Sequence, residues 1–202
     1  MKTTHKLILI GLAALPLSAL VVASTGAPKK TQRGQTQVER GKYLVALGGC
    51  NDCHTPFKMG PKGPEPDMAR FLSGHPDDAK LPPPPKLAPG PWVAVTTGST
   101  AWSGPWGISY SANLTPDENT GIGIWTEDIF IRTIRTGKHY GVGRDILPPM
   151  PWQGFAALTD DDLKALFAYL KSLPPIRNRV PEPVLPTEVG KLSQNNPKGL
   201  YE

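Results

Sequence analysis

The sequence predicts an all-α domain interrupted by a long irregular insert, and three observations lead to this expectation. Three helices are indicated: the first ends at a Gly-Gly pair, the second and third begin at threonine caps, and the third also places apolar residues at helical spacing. Between the first and second of these helices the sequence shows neither a helical nor a strand period. The chain has 202 residues, with 24 prolines and 21 glycines, which is enough for one domain with long irregular parts.

The N-terminus has the pattern of a secretory signal, predicted to cover residues 1–23. A short basic stretch precedes an apolar run from Leu7 to Ala23, and small residues lie before Ser24. An uncleaved membrane anchor is the open alternative, although the run is slightly short for a span of ~20 residues and contains Pro16. We therefore expect an exported, periplasmic protein that is cleaved near Ala23.

Three helices are predicted within a domain that covers residues 37–173, after a flexible polar leader at 24–36. The first helix is Gln37–Leu47, and the second is Thr126–Thr136 with acidic residues in its first turn. The third helix begins at Thr159 and ends before a Pro-Pro pair. Its apolar positions follow helical spacing: Leu163, Leu166, Phe167 and Leu170.

The insert, residues 56–112, is rich in proline and glycine and is expected to be irregular. It contains four consecutive prolines from Pro82 to Pro85 and three tryptophans: Trp92, Trp102 and Trp106. A loop of this length inside a domain is usually functional or partly disordered. Residues 174–202 form a proline-rich tail that we expect to be extended or disordered.

The sequence from Cys50 to His54 fits the pattern Cys-x-x-Cys-His, which is typical of covalent haem attachment. Two thiols at this spacing add to the two vinyl groups of haem, and the next residue supplies the proximal imidazole to the iron. The chain has only 2 cysteines, so a disulfide framework is excluded. A thioredoxin-type dithiol needs a βαβ context, and a zinc site needs further Cys or His ligands at suitable spacing.

Met150 is the favoured sixth ligand of the predicted haem c iron. Prolines precede and follow it in Leu-Pro-Pro-Met-Pro-Trp, and they limit the freedom of the backbone that carries the sulfur. A methionine that merely fills a gap in the core is the plain alternative. Other possible ligands after the motif are Met59, Met68, His75 and His139.

Residues 37–173 resemble class I cytochrome c. The residues that carry the resemblance are Gly41-Lys-Tyr-Leu, Cys50 to His54, Met150-Pro151 and Leu166-x-x-Tyr169-Leu170. It implies an all-α fold around one covalent haem, with Gly41 allowing Tyr169 to approach where the first and last helices cross. His54 and Met150 would be the iron ligands.

A second pattern is similar to cytochrome subunits and domains that serve membrane-associated alcohol and sugar dehydrogenases. It consists of Asn113-Leu-Thr-Pro-Asp followed by Gly121-Ile-Gly-Ile-Trp125-Thr. The resemblance implies that Asn113, Thr115 and Trp125 lie near the haem propionates. The segment from Pro61 to Tyr110 departs from the compact family pattern.

The resemblance implies a respiratory electron carrier rather than an enzyme. It would take single electrons from a dehydrogenase and pass them to an oxidase or cytochrome complex, with possible membrane association through the N-terminus. The net charge of +5 is too weak to indicate a nucleic-acid partner, and no nucleic-acid motif is present. A peroxidase-type enzyme with a labile sixth ligand, with His75 or His139 as its acid–base group, is one alternative. A haem-based sensor or docking subunit is another.

Overall fold

The computed structural model describes residues 35–85 and 91–195. The predicted signal peptide, residues 1–23, lies outside the described residues, and so does the leader apart from its last two residues. The end of the tail, residues 196–202, is also outside them. Among the described residues, no helix is long and apolar enough to cross a membrane.

Six α-helices are present in the described ranges. They are α1 Gln37–Leu47, α2 Cys50–His54, α3 Glu127–Thr136, α4 Trp152–Ala156, α5 Asp160–Ser172 and α6 Pro186–Asn195. Thr36, Thr126 and Thr159 accept backbone hydrogen bonds as the N-caps of α1, α3 and α5. Local capping therefore determines where the three predicted helices begin.

The expectation of an all-α fold is wrong, because the described part of the insert contains two antiparallel sheets and the domain is mixed α/β. The first sheet pairs β1 Phe57–Gly60 with β2 Gly63–Pro66. The second has the order β3-β4-β5, formed by Ala94–Val95, Ala101–Gly104 and Gly107–Tyr110. Two two-residue turns, each between paired glycines, close β1–β2 and β4–β5. Strands of four residues or fewer are too short to show a period in the sequence.

The helical core forms where α1 crosses α5. Gly41 permits this contact, because a Cβ at Gly41 would lie 1.9 Å from the carbonyl oxygen of Ala165 and 2.6 Å from Tyr169 Cβ. Arg40 Nε also donates to Asp162 Oδ1 at 2.8 Å across the same crossing. The buried apolar residues that make up the core are Leu44, Val45, Leu72, Ile122, Phe130, Ile134, Leu163, Ala165, Leu166, Phe167 and Leu170.

The segment after α5 packs against the insert rather than extending away from the domain. Asn178 is fully buried, and its side-chain amide donates to the carbonyl oxygens of Ser73 at 2.7 Å and His75 at 2.8 Å. Val184 exchanges two backbone hydrogen bonds of 2.9 Å with Ile108 of β5. The expectation of an extended or disordered tail is therefore wrong for Pro186–Asn195, which forms α6 and begins with a proline, whereas residues 174–185 form no helix.

Candidate haem site

Helix α2 places the two cysteines of the attachment motif three positions apart, on one face of a single helical turn. The turn begins at Gly49, whose φ of 62° lies in the left-handed region that glycine adopts readily. Cys50 and Cys53 are free thiols. Burial raises the pKa of the Cys50 thiol to about 11 and also raises the pKa of Cys53. Reactive redox dithiols have lowered pKa values, so this environment does not favour the thioredoxin-type alternative.

His54 is buried at the end of α2 in the form that a metal ligand requires. Its Nδ1 lies 2.7 Å from the carbonyl oxygen of Ala112, which can only accept a hydrogen bond. Nδ1 therefore carries the proton, and Nε2 keeps its lone pair for a metal. Burial lowers the pKa of His54, which favours the neutral imidazole.

Residues near the beginning of the insert hydrogen-bond to the end of α2 and to Thr55, the residue that follows it. Gly74 N–H donates to the carbonyl oxygen of His54 at 2.8 Å, and Leu72 N–H donates to Thr55 Oγ1 at 3.1 Å. Leu72 and Thr55 are fully buried. His54 is thus positioned by residues near both ends of the insert, Gly74 near its beginning and Ala112 at its end.

Met150 lies in a loop, residues 146–151, that we call the methionine loop. Trp152 N–H donates to the carbonyl oxygen of Met150 at 2.9 Å, and Ser109 Oγ donates to the carbonyl oxygen of Pro148 at 2.6 Å. Met150 itself is partly buried. The loop is therefore attached to α4 on one side and to β5 of the insert on the other.

The three residues predicted to lie near the propionates differ in how their polar atoms are used. Asn113 Oδ1 accepts a 2.7 Å hydrogen bond from Thr115 Oγ1, and Asn113 Nδ2 donates to the carbonyl oxygen of Ile176 at 2.8 Å. Thr115 Oγ1 also accepts from Ile176 N–H at 3.1 Å. The buried Nε1 of Trp125, in contrast, has no hydrogen-bond partner in the described part of the chain.

The donors present fit a haem. A neutral imidazole with a free Nε2, a methionine on a constrained loop and two thiols on one helical face match the ligands and attachment groups of haem c. The unpaired indole N–H of Trp125 fits a carboxylate acceptor such as a propionate.

The other possible ligands lie in different environments. His75 is buried, with Nδ1 2.9 Å from Thr100 Oγ1 and its ring 4.9 Å from that of Tyr110. His139 packs edge-on against Trp125, with 5.5 Å between the ring centroids. Burial lowers the pKa of both histidines. Met59 and Met68 are exposed on the insert surface, at 78% and 64%.

Sequence reasoning missed three residues that shape this site. Ala112 acts through its backbone carbonyl, which leaves no mark in its side-chain type. Ser109 and Asn178 act across 39 and more than 100 positions of sequence, respectively. The only signal for them is indirect, since a serine inside an apolar strand and an asparagine in a proline-rich segment are both candidates for buried hydrogen bonding.

Comparison with known proteins identifies relatives of the chain, although no family model matches it. It is 32% identical over 168 residues to a nicotinate dehydrogenase subunit of Pseudomonas putida, covering 83% of this chain and 11% of that protein. It is 28% identical over 185 residues to the cytochrome c subunit of alcohol dehydrogenase (quinone) of Gluconobacter oxydans, covering 90% of this chain and 30% of that subunit. A third relative is the gluconate 2-dehydrogenase cytochrome c subunit of Pantoea cypripedii, at 32% over 138 residues, with 68% and 23% covered.

The chain therefore spans less than a third of the length of each of these relatives. The relatives include the cytochrome c subunits of alcohol dehydrogenase (quinone) and of gluconate 2-dehydrogenase. These similarities confirm the resemblances drawn from the sequence motifs: the chain is a homologue of dehydrogenase cytochrome c subunits and resembles a class I cytochrome c.

Proposed function

We propose that the chain is an exported c-type cytochrome with one covalently bound haem, which carries single electrons from a dehydrogenase to a respiratory acceptor. The observation that carries the proposal is the arrangement of His54. A Cys-x-x-Cys-His helix ends in a buried imidazole whose Nδ1 donates to Ala112, so that Nε2 is left for iron. The cytochrome c subunits among the relatives support the same cofactor.

In this proposal Cys50 and Cys53 would hold the haem through thioether bonds, and His54 and Met150 would be the protein ligands of its iron. The haem, when bound, supplies an iron centre that gains and loses one electron. Trp125 would offer its indole N–H to a propionate, with Asn113 and Thr115 nearby. The Ala112 carbonyl keeps His54 in one tautomer and one orientation throughout.

Electron transfer fits this ligand set better than catalysis on the iron. Two protein ligands leave no open position for a substrate, and a thioether ligand raises the reduction potential. A peroxidase-type protein would need a labile sixth ligand. The ferric spectrum distinguishes the two functions, because a low-spin haem with a methionine–iron band supports the carrier and a high-spin haem supports the enzyme.

The donor in this proposal is a dehydrogenase, since several relatives are named as cytochrome c subunits of dehydrogenases. The acceptor would be an oxidase or a cytochrome complex. The signal pattern at residues 1–23 supports a periplasmic location, with membrane association through the N-terminus if that segment is retained. N-terminal sequencing of the exported protein decides between cleavage near Ala23 and an intact anchor.

Covalent attachment is the test of the proposal. Expressed in a periplasm with working haem-attachment machinery, the chain should gain the mass of one haem and keep its colour after acid–acetone extraction. The double variant Cys50→Ala/Cys53→Ala should lose the colour on extraction. Recovery of the unsubstituted chain without haem from such a host would contradict the proposal.

A further inference from the structure

The described part of the insert contacts the methionine loop as well as α2. Ser109, on β5, is buried, and its hydroxyl donates to the carbonyl oxygen of Pro148 at 2.6 Å. Pro148 lies two residues before Met150. The hydroxyl of Ser109 also accepts a 3.1 Å hydrogen bond from Trp106 Nε1.

These two hydrogen bonds form a chain with one direction. An indole N–H can only donate and a carbonyl oxygen can only accept. Trp106 therefore occupies an acceptor position of the Ser109 oxygen, and the hydroxyl proton of Ser109 is directed to Pro148. The indole thus helps to orient the hydroxyl toward the loop.

The strand that carries Ser109 is held along both of its edges. On one side β5 pairs with β4, with Trp102 opposite Ser109. On the other side Ile108 exchanges two 2.9 Å backbone hydrogen bonds with Val184. Gly107 makes this close approach possible, because a Cβ there would lie 2.0 Å from the carbonyl oxygen of Val184. A donor fixed on such a strand can restrain a loop, whereas one on a mobile segment could not.

The two ends of the methionine loop are restrained independently of Ser109. Ile146 N–H donates to the carbonyl oxygen of Gly137 at 2.7 Å. The ring of Trp152 packs over Gly137, where a Cβ would lie 2.4 Å from the indole. Between these attachments, the hydrogen bond from Ser109 holds the loop at Pro148.

We propose that Ser109, oriented by Trp106, is a positioning residue that holds the methionine loop closed and so keeps Met150 on the iron. This inference rests on the proposed function, because it takes Met150 as the distal ligand. The β4–β5 hairpin lies in the segment that departs from the compact cytochrome pattern, and the inference gives this hairpin a role in restraining the methionine loop. The hairpin would control how readily an outside ligand displaces the methionine.

Imidazole binding to the ferric holoprotein measures this control directly. Imidazole must displace Met150, so its apparent affinity decreases as the closed loop becomes more stable. Ser109→Ala removes the hydrogen bond and should raise the apparent imidazole affinity about tenfold, the equivalent of about 1.4 kcal/mol. Trp106→Phe, which keeps the hydroxyl of Ser109 but not its orienting donor, should raise the affinity by a smaller factor of about three.

Two variants in the same hairpin serve as matched controls. Trp102 Nε1 donates to the carbonyl oxygen of Ser99 at 3.1 Å, so Trp102→Phe removes an indole donor that does not act on the loop. Ser103, on β4, has no hydrogen bond to the loop among the described residues, and Ser103→Ala removes a hydroxyl next to the strand that carries Ser109. Both variants should bind imidazole as the unsubstituted protein does.

The outcomes separate this inference from the function on which it rests. An unsubstituted protein without covalent haem contradicts the proposed function, and covalent haem without a methionine–iron band contradicts the role of Met150 and the inference with it. If that band is present but Ser109→Ala binds imidazole no more tightly, the positioning role is wrong. Ser109→Ala would then at most lower the free energy of unfolding, as expected of a purely structural hydrogen bond.

Discussion

At the scale of single residues, the site depends on two hydrogen bonds to backbone carbonyls, one that orients His54 and one that restrains the methionine loop. The carbonyl of Ala112 accepts from Nδ1 of His54, and the carbonyl of Pro148 accepts from the hydroxyl of Ser109. A neutral histidine has one N–H and one lone pair, so occupying the N–H determines which nitrogen is left for iron. The methionine has no such hydrogen bond of its own, and its position depends on the loop.

Replacing Met150 by Ala should leave the haem attached and open the sixth position. The methionine–iron band of the ferric protein should vanish, and carbon monoxide should bind the reduced protein readily. The reduction potential should fall by more than about 59 mV, a tenfold change in the one-electron equilibrium, because a thioether favours reduced iron. Absorption spectra and potentiometric titration measure these changes.

The exposed methionines of the insert provide controls for this substitution. Met59→Ala and Met68→Ala change side chains that are 78% and 64% exposed, and both variants should keep the band and the potential. An unchanged spectrum in Met150→Ala would transfer the sixth position to another residue. His139, beside Trp125, would be the next to test, and a bis-histidine site would work at a lower potential.

At the scale of the elements, the two long helices α1 and α5 cross in close backbone contact. Gly41 is the point of closest contact, since its missing Cβ leaves room for the backbone of Ala165 and for Tyr169. Arg40 and Asp162 join the same helices by a 2.8 Å ion pair that is partly exposed, so solvent screening limits its contribution. Close backbone packing, more than charge, therefore holds this crossing together.

Gly41→Ala should separate the two helices and lower the free energy of unfolding by about 3 kcal/mol or more, as expected when a packed contact is overfilled. The physical reason is the 1.9 Å distance from the added Cβ to a backbone oxygen, which cannot rotate away. Guanidinium unfolding of the holoprotein measures the loss.

Gly190 in α6 is the matched control, because a Cβ at Gly190 would meet nothing within 4 Å. Gly190→Ala should be neutral or stabilise the protein by up to about 1 kcal/mol, since alanine favours the helix. A loss in Gly41→Ala no larger than the change in Gly190→Ala would contradict the role of Gly41 in the crossing.

At the scale of the whole molecule, the segment after α5 joins the insert to the helical core. Asn178 donates to Ser73 and His75, accepts from Asp77 N–H at 2.9 Å, and is fully buried. Ile176 bonds to Asn113 and Thr115 through its carbonyl and amide groups. These contacts give the insert a fixed place beside the haem site, although neither sheet belongs to the helical core.

Asn178→Ala should lower the free energy of unfolding by about 3 kcal/mol, because it leaves two buried carbonyls and one backbone N–H without partners. The insert should also become more sensitive to protease. Asn119→Ala, at an exposed position, is the control and should behave as the unsubstituted protein does. A protease pattern unchanged in Asn178→Ala would mean that the insert is held in place by its other contacts.

The sequence predicts best what short-range interactions determine. The predicted first helix has the observed bounds of α1, Gln37–Leu47, and the threonine caps mark the starts of α3 and α5, because a cap and its helix are neighbours in sequence. The Cys-x-x-Cys-His motif can also be recognised from the sequence, because its five residues are consecutive. The short strands, the contacts of Asn178 and the hydrogen bond from Ser109 depend on residues far along the chain, and no local pattern reports them.

The burial of Asn178 has a consequence for the order in which the protein is built. Its partners, Ser73 and His75, are separated from it by 105 and 103 positions, so these contacts form only after nearly the whole described chain has been made. Closing so long a loop is entropically costly and slow. Until it closes, nothing from this late segment covers the chain next to Cys50–His54. A segment late in the described chain therefore completes the enclosure of an early one, and the surroundings of His54 reach their final packing only when this long-range contact has formed.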